Sequence, residues 1–341
     1  MKSSAKPILP TKVMIAGIGG ASLGTEILKS LLRAGGYEIH GADIYPTTFG
    51  LYAPGFTSTY LLPAETYAAD LIALCREKEI HYLIPGAEGT MVLLGNTQAM
   101  EKLADAEIRL VGNKPEIVGL CSDKGATFNH LRRLGIPVPR TAPVQSLHSL
   151  EYVGLPCIVK PSTNSGGSAS VFYATSADEA MIYADLIRRG GVVPVAQEYI
   201  HDTEGEFTVG VLSLPDGRLA GSIALRRSLT AKLSVSFRGR GGVVSSGYSQ
   251  GEIATDLPPF PAVRLQAEAI AGALGSCGPL NIQGRVRDGV FLPFEINPRF
   301  SASTYLRALA GFNEPDLHAV KQGLLFGGEN RSMFNVHRPI G

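Results

Sequence analysis

Long apolar runs are missing from this sequence. No stretch of its 341 residues holds the roughly twenty apolar positions that a membrane-crossing helix needs. The opening MKSSAKPILPTK lacks the apolar segment of a secretory signal. Charge of one sign is missing too. The formal net charge is +1, which gives no global attraction to nucleic acid or to a membrane surface. Cysteine is scarce: Cys75, Cys121, Cys157 and Cys277 stand far apart, without metal-ligand spacing, and read as buried thiols in a reducing compartment. No low-complexity run interrupts the chain, and no Ser-His-Asp or Cys-His set suggests a protein nucleophile. The expectation is a cytoplasmic protein with no nucleic-acid and no membrane partner.

What is present is a 45% share of apolar residues, with 40 glycines and 22 prolines. That composition can bury sizeable cores and build many loops, and the length suits two or three packed units. Val13 to Ala16 reads as a strand, Gly17-Ile18-Gly19-Gly20 as a glycine-rich turn, Thr25 to Ala34 as a helix, and Tyr37 to Ala42 as a strand closing on Asp43. This is a βαβ unit. A dinucleotide fingerprint would want glycine at 17, 19 and 22. Position 22 is Ser, which counts against an NAD-dependent oxidoreductase, although Asp43 stands near the place of a ribose-binding acid. Strands at 80–84 and 108–111, with helices at 71–77 and 90–103, extend this to a doubly wound α/β domain over residues 1–113. Gly19, Asp43 and Glu88 fall at strand ends, where such sheets bind ligands.

The densest chemistry lies in Gly278 to Thr304, GPLNIQGRVRDGVFLPFEINPRFSAST. NIQGRV and FLPFEIN read as strands joined through Arg287-Asp288-Gly289, since Asp-Gly between β-formers signals a hairpin. The hairpin sets Gln283 beside Glu295. Glu295 and Asn297 are two apart and so share a strand face. Three oxygen donors on one surface suit Mg²⁺ (or Mn²⁺), which usually also holds substrate phosphates. Arg299, just beyond, is placed to neutralise a transferring phosphoryl group. An edge hairpin with a polar face is the bland alternative.

In the middle of the chain, Ser122 reads as the N-cap of a helix holding Lys124 in its first turn. A cation there is poorly placed for the helix dipole unless an anion binds beside it. Leu155 to Pro161 reads as a strand ending at Lys160. The following Ser162 to Ala169 is long for a hairpin and offers many backbone N–H groups for phosphate oxygens. It is not a Walker A loop, because no Gly-Lys-Ser/Thr ends it. Val192 to Ile200 and Glu206 to Val211 read as the next strands, with Glu198 and Glu206 at the edge between them.

The order of these parts, Lys160, SGGS, Gln197-Glu198-Tyr199-Ile200, GEFTV, NIQ and then FEINPR followed by SASTYLRALAGF, resembles the ATP-grasp superfamily. It is most similar to one synthetase half of the carbamoyl-phosphate synthetase large subunit and to stand-alone carboxylate–amine ligases. The resemblance covers nearly the whole chain. It implies an α/β (α+β) fold: a Rossmann-like domain (1–113), a lid subdomain (114–196) and a C-terminal antiparallel-sheet subdomain (197–341). It also implies ATP as cofactor, with Lys124, Lys160 and the Ser165-Gly166-Gly167-Ser168 loop on its phosphates. The Gln197–Ile200 segment would hold adenine and Glu206 the ribose. Gln283, Glu295 and Asn297 would bind Mg²⁺, and Arg299 would stabilise the phosphoryl group. A substrate carboxylate would attack the γ-phosphate, and an amine would displace phosphate from the acyl phosphate. One synthetase unit in place of two, and no biotinyl Lys motif, favour a self-contained ligase.

Ser222 to Gly247 carries Arg226, Arg227, Lys232, Arg238 and Arg240 with no acid among them. RGRGG is a weak RNA signal in one copy. The segment reads instead as a loop receiving an anionic substrate, with Arg226 and Lys232 as catalytic candidates and Arg227 and Arg240 on the substrate. Ser301, Ser303 and Arg307 are further substrate candidates, and Glu88 a candidate for gripping the amine. The partners are thus small-molecule acids and amines, with a homodimer left open. Two alternatives remain: carboxyphosphate chemistry on bicarbonate, and a nucleotide-binding protein without ligase activity.

Overall fold

A computed structural model describes residues 10–19, 23–163, 170–201, 204–227 and 251–321. The chain divides into two compact units, Met1–Gly112 with Phe300–Gly341, and Asn113–Arg299.

In the first unit, β1 (Thr11–Ala16), α1 (Leu23–Ala34), β2 (Tyr37–Asp43), β3 (Ser58–Leu61), α2 (Tyr67–Glu77), β4 (Tyr82–Pro85), α3 (Glu88–Leu94), α4 (Thr97–Asp105) and β5 (Arg109–Leu110) follow one another. The strands form one parallel sheet in the order β3-β2-β1-β4-β5. Successive residues of β1 point to opposite faces, and both faces are covered. Val13 and Ile15 pack with Ile27, Leu28 and Leu31 of α1, whereas Met14 and Ala16 pack with Leu71 and Cys75 of α2. The sequence reads one helix over 90–103, but two short ones form. They break at Gly95-Asn96, where the Asn96 side chain caps α4 by accepting from the Ala99 N–H at 2.9 Å.

The glycine-rich turn after β1 is a packing device. Gly17 adopts φ +87°, and a Cβ there would lie 2.9 Å from that of Ala87. Asp43 closes the turn. One carboxylate oxygen accepts from Ile18 and Gly19 N–H at 2.8 Å each, the other from Ile44 at 2.8 Å and Tyr45 at 3.1 Å. With all four bonds internal, this acid is engaged in the turn and does not serve a ribose. Asp43→Ala leaves those N–H groups unpartnered, and its melting temperature is expected to fall by an amount equivalent to at least about 2 kcal/mol. An unshifted melt would show that the carboxylate does not hold the turn.

The second unit contains α5 (Pro115–Ser122), α6 (Lys124–Arg133), β6 (Thr141–Pro143), α7 (Leu147–Val153), β7 (Cys157–Pro161), β8 (Phe172–Ala174), α8 (Ala177–Arg189) and β9 (Pro194–Glu198). It continues with β10 (Glu206–Ser213), β11 (Leu219–Arg227), β12 (Gly251–Glu252), α9 (Phe260–Ala273), β13 (Pro279–Arg287) and β14 (Val290–Asn297). Strands β6-β9-β7-β8 make an antiparallel sheet whose core is shared with α7 and α8. Strands β12-β11-β10-β13-β14 make a second antiparallel sheet. Phe207, Val209, Ile282 and Ile296 on one of its faces pack with Phe260, Val263 and Ala267 of α9 and Phe128 of α6. The expected Ser122 cap is corrected: Asp123 caps α6 through Ala126 N–H at 2.9 Å, and Ser122 ends a separate helix with its hydroxyl on Val118 O. Asp123 is the nearer acceptor because Ser122 still carries helical backbone.

The hairpin forms where the Asp-Gly signal places it. Asp288 and Gly289 take φ +53° and +72°, the left-handed pair that a tight two-residue turn requires.

From Phe300 the chain belongs to the first unit, with α10 (Thr304–Leu309) and α11 (Glu314–Lys321). Phe300 joins the core of Val13, Ile27 and Tyr82, so residues 300–321 pack with the first unit, where the sequence reading grouped them with 197–299. The Tyr37 hydroxyl donates to Asp316 at 2.7 Å, and Asn313 donates to Ser30 O at 2.8 Å.

Candidate active site

Pairing across the second sheet of unit 2 fixes which side chains share a face. Glu206, Thr208 and Gly210 of β10 stand opposite Arg285, Gln283 and Asn281 of β13. Gln283 and Asn281 in turn stand opposite Glu295 and Asn297 of β14. All of these lie on the face away from α9. The register slips between Gln283 and Gly284, so that Glu295 is followed on the ladder by Pro293 and Phe294 is bulged out. The bulge has a large effect. In an unbroken strand Phe291 and Glu295, four apart, would share a face. With one extra residue between them, Phe291 enters the core and Glu295 joins the polar face.

The bulge also presents the Phe294 carbonyl to a neighbour. Lys160, at the end of β7 in the other sheet, donates to Phe294 O at 2.8 Å and to Gln197 Oε1 at 2.8 Å. Its ammonium lies 5.7 Å from the centre of the Phe128 ring. Lys124 begins α6, and its backbone N–H donates to Ser162 O at 2.9 Å, which fixes the helix start against the end of β7. The two sheets of this unit therefore meet at Lys160, with Glu295 and Lys124 both close enough to act on its charge.

Burial above all, opposed by Glu295 and helped by Lys124, brings Lys160 down to about 7. An unfolded lysine titrates near 10.4. Between about 7 and about 10 the unfolded chain holds a proton that the folded chain has released, so this group's contribution to stability improves as pH rises through that window. A bound polyanion acts the other way, by favouring the charged amine. Binding of ADP is therefore expected to take up a proton above pH 7, with affinity falling as pH rises from 7 to 9. Titration calorimetry in two buffers of different ionisation heat measures that uptake, and a pH-independent affinity would remove Lys160 from the phosphate contacts.

Asn297 Nδ2 is buried with no hydrogen-bond partner among the described residues, which leaves an unused N–H donor beside Glu295. The donor set is one carboxylate and two amides on one surface. It suits a hard cation that shares its remaining positions with phosphate and water. Arg299 follows, its backbone N–H turned back to Asn297 O at 2.8 Å.

The segment Gln197–Ile200 is heavily tied. Gln197 Nε2 donates to Thr141 Oγ1 at 3.1 Å. Glu198 accepts from Arg140 Nε at 3.1 Å and Arg287 Nη1 at 2.7 Å. Burial alone would raise the Glu198 carboxyl, but these partners hold it below the usual range. Ile200 O accepts from Arg285 Nη1 at 2.5 Å, and the Arg285 guanidinium sits 5.0 Å from the Tyr199 ring centre.

Other expectations are corrected or redistributed. Glu206 is buried, with Oε1 accepting from Arg227 at 2.6 Å and Oε2 from Arg285 at 2.8 Å, so a ribose contact there competes with these pairs. Arg227 also reaches Gln283 Oε1 at 3.4 Å, on the Glu295 face. Its neighbour Arg226 pairs with Phe207 and therefore lies on the opposite face, away from Gln283 and Glu295. Glu88, Ser301, Ser303 and Arg307 belong to the first unit. Glu88 opens α3. Ser301 and Ser303 are buried and bonded to each other at 2.8 Å. Arg307 is 0% exposed and paired with the equally buried Glu314 at 3.2 Å. Burial raises the Glu314 carboxyl, against the lowering effect of Arg307. Ser165, Gly166, Gly167, Ser168, Lys232 and Arg240 lie outside the described residues.

Arg285 stands on the same face and was not singled out in the sequence reading. The available signal was its spacing: two positions after Gln283 in one strand, hence the same face.

Residues 121–303 match the family model of the ATP-grasp domain, more than half of the chain, and the protein belongs to that family. Among curated proteins, the carbamoyl phosphate synthase large chain of Mycobacterium tuberculosis (strain CDC 1551 / Oshkosh) is 27% identical over 321 residues, 85% of this chain and 26% of that protein. The chain thus spans about a quarter of the length of the curated relatives it matches. Among solved structures, biotin carboxylase from Campylobacter jejuni aligns with a TM-score of 0.68 at 16% identity, covering 93% of this chain and 72% of that one. D-alanine–D-alanine ligase from Bacillus anthracis, solved with ATP, aligns with a TM-score of 0.61 at 18% identity, covering 91% and 95%. These likenesses establish the α/β ATP-grasp fold, parallel sheet and two antiparallel sheets included. Among the described residues no helix is long and apolar enough to cross a membrane.

Proposed function

We propose that this protein is an ATP-dependent carboxylate–amine ligase that works through an acyl phosphate. The observation that carries this is the convergence of Lys160, from one sheet of unit 2, on the carbonyl next to Glu295 in the other. It brings a buried cation to the edge of a surface that presents Gln283, Glu295 and Asn297. Residues 1–113 would form the domain preceding the ATP-grasp core, 114–196 the lid and the segment from 197 the catalytic sheet.

In this reading Lys160 and Lys124 take phosphate oxygens of ATP, and the Gln197–Ile200 segment takes adenine. Glu206 takes the ribose once Arg227 releases it. Gln283, Glu295 and Asn297 would hold Mg²⁺, which screens the phosphate charge when bound. Arg299 stabilises the phosphoryl group in flight. The protein positions and neutralises; phosphoryl transfer needs little else from it. The carboxylate attacks the γ-phosphorus and ADP leaves. An amine then attacks the acyl carbon, phosphate leaves, and the amine loses a proton. Arg227, freed from Glu206, is the described basic residue best placed for the substrate acid. The kinship with carbamoyl phosphate synthase favours bicarbonate as a second acid to test.

The test is ADP release with Mg²⁺-ATP against a matrix of carboxylates and amines, bicarbonate and ammonia included. Release that needs one acid and one amine supports the ligase. ATP binding without release in any mixture would move the protein to a nucleotide-binding role.

A further inference from the structure

Arg285 is a buried guanidinium that the roles above leave without a task. It occupies the polar face of β13, two residues from Gln283, and is 8% exposed. Three separate groups converge on it. Its Nε donates to Glu206 Oε2 at 2.8 Å, and its Nη2 lies 2.8 Å from the same oxygen. Its Nη1 donates to the Ile200 carbonyl at 2.5 Å. Its plane lies over the Tyr199 ring at 5.0 Å, and that ring is met edge-on by Tyr173 at 4.9 Å and His201 at 5.1 Å.

These contacts join side chains and backbone of three stretches at one point, in addition to the ladder pairings of the two sheets. Glu206 starts β10, Ile200 lies in the connection after β9, and Tyr173 belongs to β8. A lysine could pair with the carboxylate, but only a planar fork can serve an acid, a carbonyl and a ring face at once. Burial alone would favour losing the charge, yet Glu206 and Tyr199 hold this guanidinium more basic than usual. The guanidinium therefore remains charged throughout the accessible pH range.

We propose that Arg285 is a positioning residue for the nucleoside end of the nucleotide, holding the Tyr199–Ile200 backbone and the Glu206 carboxylate at one fixed separation. It acts through those groups and leaves the phosphate end, around Lys160 and Glu295, untouched. The assignment rests on the nucleotide reading above and adds a division of labour within it.

The experiment compares two probes by titration calorimetry, Mg²⁺-ADP and Mg²⁺ with inorganic tripolyphosphate, on wild type, Arg285→Met, Arg285→Lys and Tyr199→Leu. Arg285→Met is expected to weaken ADP binding about tenfold or more while tripolyphosphate binding stays within about twofold. Arg285→Lys should recover part of the ADP loss, since it keeps the charge beside Glu206 but not the fork. General misfolding would lower both probes together. If Arg285→Met does not fold, Arg285→Lys carries the test, because it keeps the charge beside Glu206, loses the fork and should still shift ADP alone. Equal ADP affinity in wild type, Arg285→Met and Tyr199→Leu overturns this assignment only. A wild type that binds neither probe overturns the nucleotide reading along with it.

Discussion

Glu295→Gln is expected to cut ADP release by about a thousandfold or more, while ADP itself still binds weakly. The substitution keeps the shape of the side chain and its place opposite Gln283. What it removes is the only carboxylate of the proposed cation set. Three neutral amides cannot balance a divalent ion, and phosphoryl transfer depends on that balance. The measurement is a coupled ADP assay at saturating acid and amine, with calorimetry for nucleotide binding. Near-normal turnover would sink the assignment of the cation to this face. The variant should also raise the demand for Mg²⁺, and an unchanged Mg²⁺ dependence would count against a direct contact.

Lys160→Ala is expected to lower ADP affinity by about tenfold to a hundredfold, the usual worth of one charge-assisted hydrogen bond. Unlike the Arg285 substitutions, it should weaken tripolyphosphate to the same degree. Its effect on folding is a separate matter. The ammonium sits in a buried place that disfavours its charge, so part of what is lost in hydrogen bonds to Gln197 and Phe294 is offset by relief of desolvation. The melting temperature is thus expected to change less than binding does. A large drop in stability with intact affinity for both probes would make Lys160 a structural link between the two sheets and nothing more.

The fold was legible to the extent that its signals are local. Asp-Gly flanked by β-formers marks its own turn, and Asp288 and Gly289 adopt the left-handed pair that it demands. The alternation of Glu295 and Asn297 is likewise a property of one strand. What remained hidden depends on partners distant in sequence. Asp43 looks like a ribose acid until the backbone N–H groups of Ile18 and Gly19 are seen to fill it. Arg226 and Arg227 look equivalent in a basic run, and only the pairing of β10 with β11 puts them on opposite faces. Arg307 follows the signature segment in sequence, but its pairing with Glu314 takes it into a core. In each case a polar side chain has a partner that no local rule names. Residues 300–321 show the same limit at the scale of a domain, since Phe300 finds its neighbours nearly three hundred residues upstream.

The bulge at Phe294 gives β14 an unusual sensitivity, to length more than to spelling. Lys160 reads the carbonyl at this position, and every residue supplies a carbonyl. Many side chains can therefore stand at 294 at little cost. Removing the residue is another matter. It would restore an even phase to the strand and turn either Glu295 and Asn297 towards α9 or Phe291 away from it. The hairpin is thus tolerant of substitution and intolerant of deletion at the same site. In a lineage of such proteins, the number of residues between the core phenylalanine and the acid would be preserved more strictly than their identity.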